Sequence, residues 1–386
     1  MRLFRTSFLA AVVVAFTLVA CDSDNDDAGI DRSVVLENYA NIVFASYQDS
    51  YNTAVTLDQA IDAFIANPTA ATLQSAQTAW LAAREPYGQT EAYRFANGPI
   101  DDADGPEGLL NAWPLDEAYI DYVVGDDDAG IINNPGQFPT IDADLLVSLN
   151  EEGGEENVSI GYHAIEFLLW GQDLSDTSAG TRPVTDFTTA ENADRRKQYL
   201  GVVSDLLLVH LDEMVDAWDP NGSGNYRATF LGLDSDVAIR NIMTGIGTLS
   251  KSELAVERMF VAVNNQDQED EHSCFSDNTH RDIITNAQGI ANVWRGSYTR
   301  VDGSTVSGTS LSDLVRESDA TVANTVDSNV SAALSSVDAI PVPFDQTIIN
   351  AQNSVLTSVD ALQDLGDSFV EGARAIGITI SNELPD

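Results

Sequence analysis

"SVVLENYANIVFASYQDSYNTAVTLDQAIDAFI", residues 33–65, is the stretch whose reading decides the fold class. Val35, Tyr39, Ile42, Val43, Tyr47 and Tyr51 recur mostly at steps of three or four, the spacing of one helical face and not the two-residue alternation of a half-buried strand. Asn67-Pro68 stops that element, and Thr69 caps a second helix to about Arg84, with Leu73, Ala76, Trp80 and Ala83 on one side. Further along, the period returns over residues 190–218, where Tyr199, Val203, Leu207, Leu211 and Met214 are in phase, and over 237–264, 310–337 and 344–375. Pro220 to Gly224 and the "AIPVPF" turn punctuate these runs. No strand pattern of comparable length competes, so the class is all-α. Two packed helical-bundle domains are expected, residues 32–180 and 181–386, with long loop insertions.

The loops concentrate between Gly98 and Asn157, where "GPIDDADGPEG", "GDDDAG" and "NNPGQFP" follow in close order. Asp101, Asp102 and Asp104 resemble a calcium loop only superficially, because the alternating acids and the glutamate at the twelfth position are missing.

The N-terminus gives an address. Arg2 and Arg5 precede an apolar run over 8–19, too short for a stable membrane span, and Ala20 and Cys21 follow at once. Residues 1–20 read as a secretory signal. Leu18-Val19-Ala20-Cys21 fits the bacterial lipobox, which leaves Cys21 as a lipidated first residue and residues 21–31 as an acidic tether. An exported protein is expected, on the periplasmic side or the cell surface and attached to a membrane through Cys21. Cys274 is then the only other cysteine, so no intramolecular disulfide is available and the fold stands on its core. A formal charge of −43 excludes nucleic acid as a partner, since a polyanion is repelled. The same charge solvates the surface and concentrates cations near it.

Three stretches carry residues capable of chemistry. In "SIGYHAIEFLLWGQD", residues 159–173, His163 and Glu166 share one helical face, where an imidazole and a carboxylate can bind one cation or simply interrupt a buried helix. Gly161 beside them allows close approach of another backbone. "DQEDEHSCFSDNTHRD", residues 267–282, holds His272 and His280 among Glu269, Asp270, Glu271, Asp277 and Asp282, a donor set suited to iron, zinc or manganese better than to calcium. Its alternative is a self-capped junction, with Ser276 or Asp277 as N-cap of a helix through Ile283 and Ile284. The remaining histidine, His210 in "LLLVHLDEM", reads as structural. "AWLAAREPYGQTEAYRFANGPID", residues 79–101, places Arg84, Glu85, Glu91 and Arg94 where they pair with one another or orient a ligand carboxylate. There is no His-Glu-x-x-His, no Gly-x-Ser-x-Gly elbow, no phosphate-binding Gly-rich loop and no CxxC.

Taken in order, "WLAAREPYGQTEAYRFANGPID", "WPLDEAYIDYV", "GYHAIE", "GTRPV" and "DQEDEHSCFSDNTHRD" resemble the imelysin family of exported bacterial proteins, and within it the iron-regulated protein A branch. The resemblance implies a two-domain helical-bundle fold with a functional site between domains that includes the Gly-x-His-x-x-Glu helix, here Gly161, His163 and Glu166. It also implies either a metallopeptidase or a part in iron uptake. A zinc peptidase needs about three protein ligands, an open position and usually a base, whereas a binding protein needs two or three ligands on facing helices. The residues therefore favour an exported lipoprotein that binds iron, zinc or another divalent metal at a helical domain interface. His163 and Glu166 are the expected ligands, Glu91, Glu271 and His272 further contributors, and Gly161, Arg84, Arg94, Asp277 and His280 supporting residues. Expected partners are the metal ion, the membrane through the lipid anchor, and components of iron uptake. The alternatives are a metallopeptidase using the same pair and an adhesion or scaffold module without metal.

Overall fold

Asp31 starts the first long helix by accepting a 2.9 Å hydrogen bond from the backbone of Ser33, satisfying one of the free N–H groups every helix start exposes. The computed structural model describes residues 29–103 and 105–384; the expected signal, Cys21 and most of the tether lie outside these. Helix α1 runs Arg32–Ala66 and buries Val35, Tyr39, Ile42, Val43 and Tyr47, the face its periodicity marks. Thr69 and Thr72 cap each other's backbone to start α2, Ala70–Thr90.

Helix α2 continues six residues beyond its expected end and passes through Pro86. Packing outweighs the lost hydrogen bond. Asn286 donates 2.9 Å to the Gly88 carbonyl, and a side chain on Gly88 would sit 2.0 Å from Thr285 Oγ1. The partner in both contacts is α6, Thr279–Arg295, which crosses α2 so closely that a Cβ on Gly289 would lie 2.3 Å from the Gln89 carbonyl oxygen.

Between these come α3 (Gly161–Trp170), α4 (Ala193–Trp218) and α5 (Ser235–Thr248). Helix α5 runs directly into a π-helix, Leu249–Phe260, and then a last α-helical turn, Val261–Asn265, where one unbroken α-helix was expected. After α6, a short hairpin pairs Ser297–Thr299 with Thr305–Ser307. The expected helix over 310–337 is two, α7 (Leu311–Ser318) and α8 (Ala320–Asp338), because the Asp319 side chain accepts from Thr321 and Val322 and restarts the helix. The last expected helix likewise divides at Ala351 into α9 (Phe344–Asn350) and α10 (Gln352–Ala375).

The all-helical class is borne out, the hairpin being the only extended pairing of named strands among the described residues. Helices α1, α2, α3 and α4 pack on one another; α5, the π-helix, α6, α8 and α10 form a second group, and α2 against α6 joins the two. Short helical turns from Glu107 to Leu149 occupy the loop-rich stretch. Among the described residues no helix is long and apolar enough to cross a membrane. The close α2–α6 crossing predicts that Gly289→Leu lowers stability by roughly 1–3 kcal/mol or more through overpacking, read as an earlier midpoint in chemical denaturation, whereas Gly303→Ala in the open hairpin turn, with no neighbour within 4 Å, costs less despite its positive φ.

Candidate functional site

All ten residues of α3 are buried. The helix begins at Gly161, whose φ of +87° and whose contact with the Leu110 carbonyl, 2.7 Å from any added Cβ, admit only glycine. Two residues on, His163 Nδ1 meets Glu166 Oε2 at 2.9 Å. The other carboxylate oxygen accepts two hydrogen bonds from Ser276, from its N–H at 3.0 Å and its hydroxyl at 2.7 Å. Ser276 is therefore a clamp on Glu166 and not a helix cap; α6 starts after Asn278 with no side-chain cap. Burial pushes the Glu166 carboxyl up to about 8, against the lowering effect of Ser276, and holds the His163 imidazole well below its usual range. Its second nitrogen, Nε2, is buried and meets no hydrogen-bond partner among the described residues.

The second imidazole is His272, its ring centre 4.7 Å from that of His163 and nearly perpendicular to it. His272 Nδ1 lies 2.8 Å from Asp282 Oδ2 on α6. Burial raises the Asp282 carboxyl, but Arg84, His272 and Ser273 hold it far below the ordinary carboxylate range. Asp282 is thus ionised, Nδ1 carries the hydrogen, and the Nε2 lone pair of His272 is exposed to its neighbours, the nearest a long 3.4 Å contact from the Asn111 amide. Both histidines set Nδ1 against a buried carboxyl group, but only Asp282 is held ionised, and only the Nε2 of His163 is without a partner.

Arg84 and Asn111 frame the pair. The Arg84 guanidinium lies 3.2 Å from Asp282, donates 2.6 Å to Asn111 Oδ1, and sits 5.0 Å above the Tyr162 ring. Asn111 also reaches Glu91 Oε1 at 3.3 Å. Arg258 closes this layer at 2.6 Å from Glu91. In the π-helix, residues five apart share a face, which brings Glu253 within 3.0 Å of Arg258. Burial raises Glu91, but Arg258, Arg94 and His272 together bring it down to about 2.

Outside the histidines lies a cleft of about 400 Å³. His272, Asn111 and Trp113 line it, and the Trp113 ring packs 5.0 Å from His163. Arg94 and Arg258 face it together with Glu107, Glu151, Glu155, Glu253, Glu257 and Asp270, so carboxylates outnumber arginines there.

Of the residues singled out in sequence, the structure brings His163, Glu166 and His272 together, with Gly161 and Arg84 against them. Glu91 stands one contact away through Asn111, and Arg94 belongs to the cleft wall, 3.0 Å from Glu107. Glu271 and Asp277 lie elsewhere; their electrostatic neighbours are Asp345 and Asp173. His280 donates to or accepts nothing from the pair and contacts the Asp277 carbonyl at 3.1 Å. Residues that periodicity did not mark are Asn111 and Trp113, both in the turn-rich stretch, and Arg258, on the π-helix. Among the described residues no three His, Cys, Asp or Glu side chains gather closely enough to enclose an ion by themselves.

Fold and site define an all-helical protein with a buried, carboxylate-oriented histidine pair at the junction of two helix groups. The chain belongs to the imelysin family, whose profile matches residues 43–369. It is 27% identical over 338 residues to iron-regulated protein A of Synechococcus elongatus, covering 85% of this chain and 82% of that one. Two crystal structures share the fold. A protein from Parabacteroides distasonis assigned as an iron-regulated protein A precursor superposes with a TM-score of 0.72 at 19% identity, covering 91% of this chain and 97% of that one. An imelysin-like protein from Psychrobacter arcticum gives 0.65 at 13% identity, with 92% and 99% covered.

The Glu91–Arg258 pair makes a pH prediction. A carboxyl lowered from 4.5 to about 2 contributes stability that is complete above pH 4.5 and is lost as pH falls toward 2. Glu91→Gln, which strands a buried guanidinium, should cost roughly 3–5 kcal/mol at pH 7 and flatten the acid limb in urea titrations between pH 5 and 2.

Proposed function

We propose that this protein captures a divalent cation, iron first among the candidates, at the His163–His272 pair behind the acidic cleft. One observation carries the reading: each imidazole has Nδ1 tied to a buried carboxylate, and the Nε2 of His163 is buried without a partner. A carboxylate on the far nitrogen fixes the tautomer of a ligating histidine and raises its basicity. In this reading Asp282, held ionised by Arg84, and Glu166, which gives up its proton to solvent as the ion binds, orient the ligands, and His163 and His272 supply them. Burial favours the neutral, ligating form of both rings. A bound ferrous or zinc ion would bring positive charge and Lewis acidity to this point.

Two protein nitrogens leave the remaining coordination positions to water or to carried ligands, which suits reversible capture. The excess of carboxylates around the cleft favours a cation over an anion at its mouth. Similarity to iron-regulated protein A supports iron as cargo, and the leader with Cys21 supports an exported, lipid-anchored protein that hands its ion to other uptake components. A peptidase would need a third ligand and a free base, and both oxygens of Glu166 are already engaged.

Anaerobic titration of the purified protein with iron(II), and separately with zinc(II), tests the reading by calorimetry and elemental analysis. About one equivalent should bind; His163→Ala and His272→Ala should abolish binding while keeping helical circular dichroism, and Glu166→Gln should weaken it roughly 10–100-fold. Unchanged stoichiometry in both alanine variants would sink the proposal. Metal-dependent cleavage of an unfolded test protein, lost in the Glu166 variant, would replace it with the peptidase.

A further inference from the structure

The buried carboxylates among the described residues follow a rule with one group of exceptions. Asp49, Glu91, Asp121, Asp186 and Asp282 each meet an arginine. Glu166 is held by His163 and Ser276. Asp173, Glu271 and Asp345 pair with no basic side chain, and they lie in one neighbourhood. Asp345 is 3% exposed and neither of its carboxylate oxygens has a well-formed hydrogen bond; the backbone N–H groups of residues 345 and 346 at the start of α9 lie close enough to offset part of the cost of its burial. Glu271 is 1% exposed, and its Oε1 is likewise unpartnered.

Asp345 is the foremost charged neighbour of Asp173, Glu271 and Asp277 alike. The four carboxylates come from three separate segments: the loop after α3, the run leading into α6, and the first turn of α9. Asp277 sits at φ +55°, a backbone conformation unusual for a side-chain-bearing residue, and shares a carboxyl contact with Asp173. Burial together with these neighbours raises Asp277 to about 7 and Asp173 to about 6. The unpartnered oxygens of Asp345 and Glu271, buried among like charges, are costly as anions unless a proton or a cation joins them.

We propose that a second cation site, distinct from the histidine pair and centred on Asp345 among Asp277, Asp173 and Glu271, takes calcium. The donors are oxygen only, which selects a hard ion over iron or zinc. Because no three of the side chains enclose a point by themselves, at most two of these carboxylates touch the ion directly and the others act through water, an irregular shell that calcium's flexible coordination accepts more readily than magnesium's near-ideal octahedron. Filling the site ties the loop after α3 and α9 to the 271–279 run, which also carries His272 and Ser276.

The test is thermal unfolding of the purified protein, stripped with EGTA, at fixed ionic strength with calcium or magnesium added. Calcium at a hundred times its Kd should raise Tm by roughly 4 °C, and magnesium by less than half of that. Asp345→Asn and Asp277→Asn should each abolish the shift, asparagine being the replacement that best tolerates the left-handed backbone at 277. In EGTA, Asp345→Asn should melt higher than the parent, since an unpaired buried carboxylate is gone. His163→Ala should keep the full calcium shift. The proposal is overturned by an unmoved Tm in the parent, by an equal response to magnesium, by a shift that survives in both asparagine variants, or by its loss in His163→Ala.

Discussion

The ion pair between Arg84 and Asp282, both almost wholly buried, is the contact on which the site depends. It spans α2 and α6, the helices that join the two groups. It also decides a proton. Desolvation alone would drive Asp282 toward its neutral form, in which it could donate to His272 Nδ1 and move the imidazole hydrogen to Nε2. With Arg84 beside it Asp282 stays ionised, so His272 keeps its hydrogen on Nδ1 and its lone pair on Nε2. The guanidinium is itself caged by Trp80, Tyr87 and Tyr162, which keeps water from competing for it. The same Arg84 orients Asn111, and Asn111 links the histidine layer to Glu91 and Arg258.

Glu166 is handled differently. No arginine bonds to it; Ser276 and His163 provide three hydrogen bonds, and burial lifts its carboxyl to about 8. The two carboxyl groups therefore give their histidines different characters: Asp282 is a fixed anion, while burial favours the protonated form of Glu166. Two chemically similar His–carboxylate pairs, 4.7 Å apart, are made unlike by one buried guanidinium.

Much of this fold is legible in the sequence because helical periodicity is local. Residues 33–65 and 190–218 announce their buried faces, and Thr69 announces a start. Periodicity fails where tertiary contacts override local preference, as at Pro86, where Gly88 against Thr285 carries α2 onward. It also fails where one acid recaps a helix inside a continuous pattern, as at Asp319. A π-helix keeps the composition of an α-helix, so the Glu253–Arg258 pairing is invisible at α-helical spacing. In the site, His163 and Glu166 stand out because they interrupt an apolar run. Ser276 or Asp277 as a cap is one of two open readings because such residues before a helix ordinarily cap it, and Asn111 is silent because a single asparagine in a turn-rich stretch has no pattern to break.

The chain carries 18 basic residues against 61 acidic ones, so cations are scarce in its interior and their placement is informative. Arg84, Arg182, Arg196 and Arg258 are all buried, each on a buried carboxylate. Arg182 and Arg196 converge on Asp121 and pin the loop after α3 from one side. That loop's other anchor, Asp173, faces acids instead. An interior that supplies two arginines to one aspartate and none to three neighbouring carboxylates is not short of arginine at random. These arginine-free carboxyl groups fall beside the segment whose neighbouring residues, His272 and Ser276, set the geometry of the histidine pair, so the proton or ion that joins them bears on how firmly that pair is held.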